Sequence, residues 1–85
     1  MILLVDKFKM AKTELQTCEA IGTLIRKLRK EQGVTQAQLA GLANTGIRFI
    51  GDLENGKETC HIGKLLQVLS ALGVGMYIYS PYDKE

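Results

Sequence analysis

The sequence predicts a small, mainly α-helical domain in which four helices are followed by one β-strand. Three observations lead to this fold class. Apolar residues recur at i, i+3, i+4 and i+7 in several segments, as they do on one face of a helix. Glycines close these segments, and after the last one apolar residues alternate as in a strand. A chain of 85 residues has room for one hydrophobic core and is marginal as a monomer, so we expect it to dimerise.

Composition and charge exclude several classes of protein. The net charge of +2 excludes a polybasic tail but permits a local basic face. Cys18 and Cys60 lack the spacing of a metal site, and a chain with 46% hydrophobic residues does not need a disulfide, so we expect free thiols in a reducing cytoplasm. The apolar run at residues 2–5 is too short for a signal peptide or a membrane span.

Catalytic and metal-binding patterns are not found in the sequence. There is no Ser/His/Asp set, no carboxylate pair and no phosphate-binding glycine loop, and His61 is the only histidine. We expect His61 to lie on the surface or at the start of a helix. The sequence therefore predicts that the protein is not an enzyme and binds neither a metal nor a cofactor.

Residues 1–16 form an N-terminal extension with two open interpretations. Its apolar residues from Ile2 to Val5, followed by Phe8, could form a short strand that pairs with a strand near the C-terminus. The alternative is a loosely ordered terminus.

The first predicted helix begins after Thr17, a good N-cap, and ends at Gly33. Its apolar stripe is formed by Ile21, Leu24, Ile25 and Leu28. Four cations follow in its last turns, namely Arg26, Lys27, Arg29 and Lys30. They either complement the helix dipole or form a basic ridge along a phosphate backbone.

Two short helices and a tight turn follow. The second helix covers residues 36–43, is capped by Thr35 and turns Leu39, Ala40 and Ala43 inward. The turn Asn44-Thr45-Gly46 leads into a third helix, residues 47–55, which Gly56 ends. Phe49, Ile50 and Leu53 face inward on this helix, whereas Arg48, Gly51 and Asn55 lie on the exposed face with Ile47 at its leading end.

The fourth predicted helix runs from residue 61 to residue 72, with Gly73 as its C-terminal stop. Its predicted core stripe is Ile62, Leu65, Leu66, Leu69 and Leu72, widened by Val68. A helix this apolar should bury more than one face, either under the other helices or against a second subunit.

The period changes at residues 74–80, where Val74, Met76 and Ile78 alternate with Gly75, Tyr77 and Tyr79. This alternation predicts a strand, which Pro81 ends. A single strand needs a pairing partner, either residues 2–8 or the same strand of a second subunit. The expected organisation is thus an extension (1–16), a helical domain (17–73) and a dimerisation strand with its tail (74–85).

The block of residues 21–72 resembles the Xre/Cro, or lambda-repressor-like, helix-turn-helix domain. The resemblance is carried by TQAQLAGLA followed by RFIGDLENGK, and together with the strand after this block it covers about 60 of the 85 residues. Within that superfamily, RFIGDLENGKETCHIGKLLQVLSALG and the strand after it are similar to the HipB-type antitoxins, in which the strand pairs across a dimer. The resemblance implies that residues 74–80, with Val74, Met76, Tyr77, Ile78 and Tyr79, form a dimer strand.

The resemblance also implies roles for individual residues. The third helix would enter the major groove with its N-terminal end, and Ile47, Arg48 and Gly51 would face bases. Arg48 can bond guanine bidentately. Gln36 would contact the DNA backbone. Gly46, in place of a polar cap, and Asn55 complete the predicted DNA-binding set, and Arg29 would form a structural bridge with Glu54.

These implications combine into a hypothesis about function. We expect a homodimeric, cytoplasmic and nucleoid-associated repressor that binds a palindromic operator in double-stranded DNA. As a HipB-like antitoxin of a toxin-antitoxin operon, it would also hold a HipA-like toxin kinase inactive. The alternatives are a stand-alone Xre-family repressor and a protein-interaction module that has lost DNA binding.

Overall fold

A computed structural model of the chain describes residues 2–6, 12–15 and 17–78, and gives side-chain positions for residues 17–77. The four predicted helices and the C-terminal strand are confirmed. The helices are α1 (Cys18–Glu31), α2 (Gln36–Leu42), α3 (Ile47–Glu54) and α4 (Ile62–Ala71). The predicted strand residues 79 and 80, including Tyr79, lie outside the described residues, as does Phe8.

Side-chain caps define where three of these helices begin. The Thr17 hydroxyl accepts a hydrogen bond from the Ala20 N–H at 3.0 Å, as predicted for the start of α1. At the start of α2, Thr35 and Gln38 form a capping box. The Nδ1 atom of His61 accepts from the Lys64 N–H at 3.3 Å, so His61 caps α4.

The core lies between the helices, and among residues 17–77 its only buried charged residues are Arg29 and Glu54. Its most buried side chains come from all four helices: Ile25, Leu39, Ile50 and Val68. The Gln32 side-chain amide donates to the Leu72 carbonyl at 2.8 Å and ties the end of α1 to the end of α4. The core therefore holds the four helices in one fixed arrangement, and α2 and α3 contribute Leu39 and Ile50 to it.

The predicted core stripe of α4 was wrong at two positions. Ile62 is 58% exposed and Leu66 is 47% exposed, whereas the stripe that packs inward consists of Leu65, Val68, Leu69 and Leu72. Both sets have helical spacing, so the pattern alone could not distinguish them. The inward set follows i, i+3, i+4 and i+7 and faces α2 and β3, which leaves Ile62 and Leu66 on a different side of the helix.

A three-stranded antiparallel sheet joins the two ends of the chain. Its strands are β1 (Ile2–Asp6), β2 (Lys12–Leu15) and β3 (Val74–Ile78), in the order β2-β1-β3. β1 pairs with β3 from Ile2 opposite Ile78 to Asp6 opposite Val74. Of the two partners considered for β3, the structure thus shows the strand from the same chain, and β2 was not predicted at all. A dimer pairing of β3 has only its other edge available.

The sheet is connected to the helical core through β3. Val74 is buried, and Met76 packs against the core from the same face of the strand. Tyr77, on the opposite face, is 59% exposed. No helix in the described part of the chain has the length and apolarity that crossing a lipid bilayer requires.

Candidate nucleic-acid interface

Helices α2 and α3 form a compact pair joined by a tight turn. Leu39 and Ala40 of α2 and its C-cap Ala43 are buried, and α2 packs against α3. The turn uses Asn44, whose φ of 55° lies in the left-handed region, and the Thr45 N–H donates to the Ala40 carbonyl at 2.9 Å. Backbone geometry therefore fixes the relative orientation of the two helices.

The N-terminal end of α3 is an exposed surface. Ile47 and Arg48, its first two residues, both face solvent. Gly46 is the N-cap, with a φ of −88° and no side-chain hydrogen bond, so a residue other than glycine could adopt this backbone. Gly51, one turn later, is half-buried and has no atom near the position of a Cβ. The structure thus brings together the residues predicted to face bases.

Gln36 and Asn55 lie at a second place, around Glu54. The Gln36 amide donates to Glu54 Oε1 at 3.1 Å, and Asn55 is the exposed C-cap of α3. The predicted DNA-binding set is therefore divided between the two ends of α3.

Glu54 is fully buried and bonded to Arg29. Arg29 Nε lies 2.6 Å from Oε2, and Arg29 Nη2 lies 3.0 Å from Oε1. The remaining Nη1 donates to the Val34 carbonyl at 2.9 Å. Because Arg29 is itself buried, it does not belong to an exposed basic ridge. Through these hydrogen bonds Arg29 connects α1 to the α1–α2 loop and to the end of α3.

The ionisation of Glu54 depends on these contacts. Burial by itself opposes the charged form, but hydrogen bonds from Arg29, Gln36 and Arg26 outweigh it and hold the pKa of the Glu54 carboxyl below its ordinary value. The hydrogen bond to Glu54 likewise raises the pKa of Arg29, although burial opposes this. Both groups are therefore charged at neutral pH.

Two contacts at this site were not predicted, although Arg26 is one of the four cations noted near the end of α1. Arg26 donates from Nε to Glu54 Oε1 at 3.3 Å and from Nη2 to Asn55 Oδ1 at 3.4 Å. Gly22 is buried where α1 meets α3, and a Cβ there would overlap the Leu53 carbonyl oxygen. Gly22, Arg26 and Arg29 follow one another at i, i+4 and i+7, a spacing that marks a shared helix face and that could have identified them.

Other side chains near the site have simpler roles. Lys57 and Asp52 form an exposed pair at 3.5 Å. Cys18 and Cys60 are free. Among the residues that the structure describes, no group of three or more His, Cys, Asp and Glu side chains is arranged to hold a metal ion.

Comparisons with known proteins show the family of this chain. Residues 20–76 match the model of a family described as a helix-turn-helix domain. The chain is 51% identical over 76 residues to an uncharacterised HTH-type transcriptional regulator, y4mF, of Sinorhizobium fredii, with 89% of this chain and 99% of that protein covered. The crystal structure of the clp gene regulator ClgR from C. glutamicum superposes with a TM-score of 0.61 at 31% identity, covering 72% of this chain and 78% of that one. The chain therefore belongs to the helix-turn-helix family of transcriptional regulators.

Proposed function

We propose that this chain is a sequence-specific DNA-binding repressor that acts as a homodimer on a palindromic operator, including that of its own operon. The observation that supports this proposal best is the exposed N-terminal end of α3, with Ile47 and Arg48 side by side on a helix whose other end is fixed by Glu54. Two such helices in a dimer would contact half-sites about 34 Å apart, one turn of B-DNA.

Base recognition is assigned to the first turns of α3. Arg48 donates to guanine O6 and N7, and Ile47 contacts thymine methyl groups. Gly46 and Gly51 provide no side chain, so they allow close approach of the helix but add no base contact. With so few direct contacts, part of the sequence preference comes from the deformability of the operator.

Contacts to the DNA backbone are assigned to Gln36 and Asn55. Each has an amide group at the edge of the α2–α3 unit, and amide N–H groups donate to phosphate oxygens. Such contacts set the register of the protein on the duplex, whereas the bases are read at the other end of α3.

Dimerisation is assigned to β3. Its edge opposite β1 has no partner strand among the described residues, and the Tyr77 side chain is exposed on the face of the strand opposite Met76. An unpaired strand edge can pair with a second copy of the same strand. We expect Tyr77→Lys, which puts a cation on each of the two paired β3 strands, to shift the sedimentation coefficient from dimer to monomer, while the exposed control Thr59→Lys leaves it unchanged. An unchanged dimer in Tyr77→Lys would remove β3 from the interface.

The most specific part of the proposed function is the role as an antitoxin. It is supported by the resemblance of residues 48–73 to HipB-type antitoxins and by the strand that follows them. The test is to express the chain together with the kinase-like product of an adjacent gene and to measure autophosphorylation of that product. Loss of kinase activity in a co-purifying complex supports the role. An adjacent gene of another kind, or an unaffected kinase, leaves a stand-alone repressor.

DNA binding itself is tested with the gene's own promoter. In a fluorescence-anisotropy titration of the full chain, we expect the promoter duplex to bind more tightly than a scrambled duplex of equal length, and both affinities to fall steeply with salt. Binding without sequence preference and without salt dependence would contradict the proposal and favour a protein-interaction module.

A further inference from the structure

One buried carboxylate organises polar side chains from three helices. Glu54 at the end of α3 accepts hydrogen bonds from Arg26 and Arg29 of α1 and from Gln36 of α2. Its neighbour Asn55, the C-cap of α3, accepts a further bond from Arg26. The Arg29 bridge explains the packing of α1 on α3, but it does not require the additional cation Arg26.

Arg26 and Arg29 differ in the guanidinium nitrogens that remain able to donate a hydrogen bond to another partner. Arg29 is buried and uses all three of its guanidinium nitrogens, on Glu54 and on the Val34 carbonyl. The side chain of Arg26 is 45% exposed and uses Nε and Nη2. A guanidinium has five N–H groups, so both N–H groups of Nη1 and one of Nη2 are not used by Glu54 or Asn55. The Gln36 amide likewise keeps one of its two N–H groups.

The charge of the cluster is unbalanced. Two guanidinium groups share one carboxylate, which leaves one positive charge, and the exposed Arg26 is the member that meets solvent. Oriented N–H donors with excess positive charge at a surface are the features that bind a phosphate oxygen. Arg26 and Gln36 approach the same oxygen, Oε1 of Glu54, from different helices, so their remaining donors are fixed relative to each other.

We propose that Arg26 binds a phosphate of the DNA backbone and that Glu54 and Asn55 are the positioning residues that orient it. The inference rests on the proposed DNA-binding function and deepens it. Glu54 is the last residue of α3 and Asn55 is its C-cap. A phosphate held by Arg26 therefore fixes the distance between the DNA backbone and the base-facing end of the same helix. The rival explanation is that Arg26 is only an additional structural tie on Glu54.

The test compares Arg26→Gln with the wild-type full chain on two duplexes, the gene's own promoter and a scrambled duplex of equal length. A phosphate contact contributes to the salt dependence of binding. The negative slope of log K against log salt concentration should therefore become shallower by about 1 per subunit. Affinity should fall by the same factor on both duplexes, since phosphates carry no sequence information. A purely structural tie would lower the urea midpoint of unfolding and leave the slope unchanged, which would overturn the proposal.

Two further variants make the test specific. Lys27→Gln removes one exposed charge from the next position of α1, where the side chain is not bonded to Glu54, and should change the slope by much less. An equal change would indicate a diffuse basic surface and would overturn the assignment to Arg26. Arg26→Lys keeps the charge but loses the planar fork held by Glu54 and Asn55, so it should restore the slope and only part of the affinity.

The outcomes separate this inference from the proposed function. If the wild-type chain shows neither promoter preference nor salt dependence, the DNA-binding function itself is wrong. If the wild type binds as proposed and Arg26→Gln keeps its slope, only the Arg26 contact is wrong. Full recovery of affinity by Arg26→Lys would overturn the positioning role of Glu54 and Asn55.

Discussion

The guanidinium of Arg29 and the carboxylate of Glu54 form a two-bond ion pair that joins α1 to the end of α3. Both side chains are inside the domain, where Glu54 has no exposed surface. A buried ion pair adds little net stability compared with an apolar pair, but removing one partner leaves the other charge buried and uncompensated. The position of α3 therefore depends on both residues being present.

Glu54→Gln should strongly destabilise the domain. The substitution keeps the shape of the side chain but leaves the buried Arg29 without a counterion, which costs about 3–5 kcal/mol. Since small domains are stable by only about 5–15 kcal/mol in total, the loss should be visible as a large decrease in the urea midpoint of unfolding.

Asp52→Asn is the matched control for this experiment. Asp52 also lies on α3 and pairs with Lys57, but at 3.5 Å and with both side chains more than a third exposed. Such surface pairs contribute about 0–1 kcal/mol. Equal destabilisation by the two substitutions would contradict a special role for the buried pair.

The contribution of Glu54 should also depend on pH. The pKa of Glu54 is lower in the folded protein than in the unfolded chain, where an ordinary Glu has a pKa of about 4.3. On acidification the unfolded chain therefore takes up this proton first, and stability decreases as the pH falls below about 5 and through the folded pKa. Urea unfolding between pH 7 and pH 3 should show the gap between wild type and Glu54→Gln narrowing toward acid. A constant gap would argue against this explanation.

The helical part of the fold could be predicted because its signals are local. The caps at Thr17 and Thr35 and the stop at Gly33 act within one turn of the chain, and the structure places each helix boundary within a residue or two of the prediction. The sheet could not be predicted in full, because its pairing brings together residues 2–6 and 74–78. Such long-range pairing leaves little trace in either segment alone, and Lys12–Leu15 lacks a clear apolar alternation.

The positions of the candidate side chains could be predicted where they depend on one helix, and less so where residues from several helices share a partner. An exposed Arg48 at the start of α3 follows from helix periodicity. The convergence of Arg26, Gln36 and Asn55 around one carboxylate does not, because it depends on the distance and rotation between three helices. The half-exposed Ile62 and Leu66 show the same limit, since periodicity cannot tell which of two adjacent apolar stripes packs inward.

Gly22→Ala should destabilise the domain although alanine favours helices. A Cβ at this position would overlap the Leu53 carbonyl oxygen and lie 3.0 Å from the Glu54 carbonyl oxygen, both of them backbone atoms that cannot move aside. Helix α1 would have to shift away from α3, at a cost of about 1–3 kcal/mol or more in unfolding free energy. Thermal and urea unfolding would measure it.

For Gly41→Ala we expect the opposite change in the stability of the domain. Gly41 is in α2, and no atom lies within 4 Å of the position that a Cβ would take. The substitution should stabilise the domain by about 0.5–1 kcal/mol, because alanine loses less backbone entropy on folding. A similar effect of the two substitutions would mean that α1 and α3 are not in close contact at Gly22.

Arg48→Ala should reduce sequence discrimination more than it reduces affinity for DNA in general. A bidentate contact to guanine contributes about 1–3 kcal/mol of discrimination, so binding to the promoter duplex should weaken by about tenfold or more while binding to a scrambled duplex changes little. Arg48→Lys keeps the charge but not the two parallel N–H donors, and it should lose discrimination as well. The affinities for the promoter duplex and for the scrambled duplex should be measured by anisotropy titration at the same salt concentration. Equal losses on the two duplexes would place Arg48 on a phosphate, and the bases would then be read mainly through Ile47 and DNA shape.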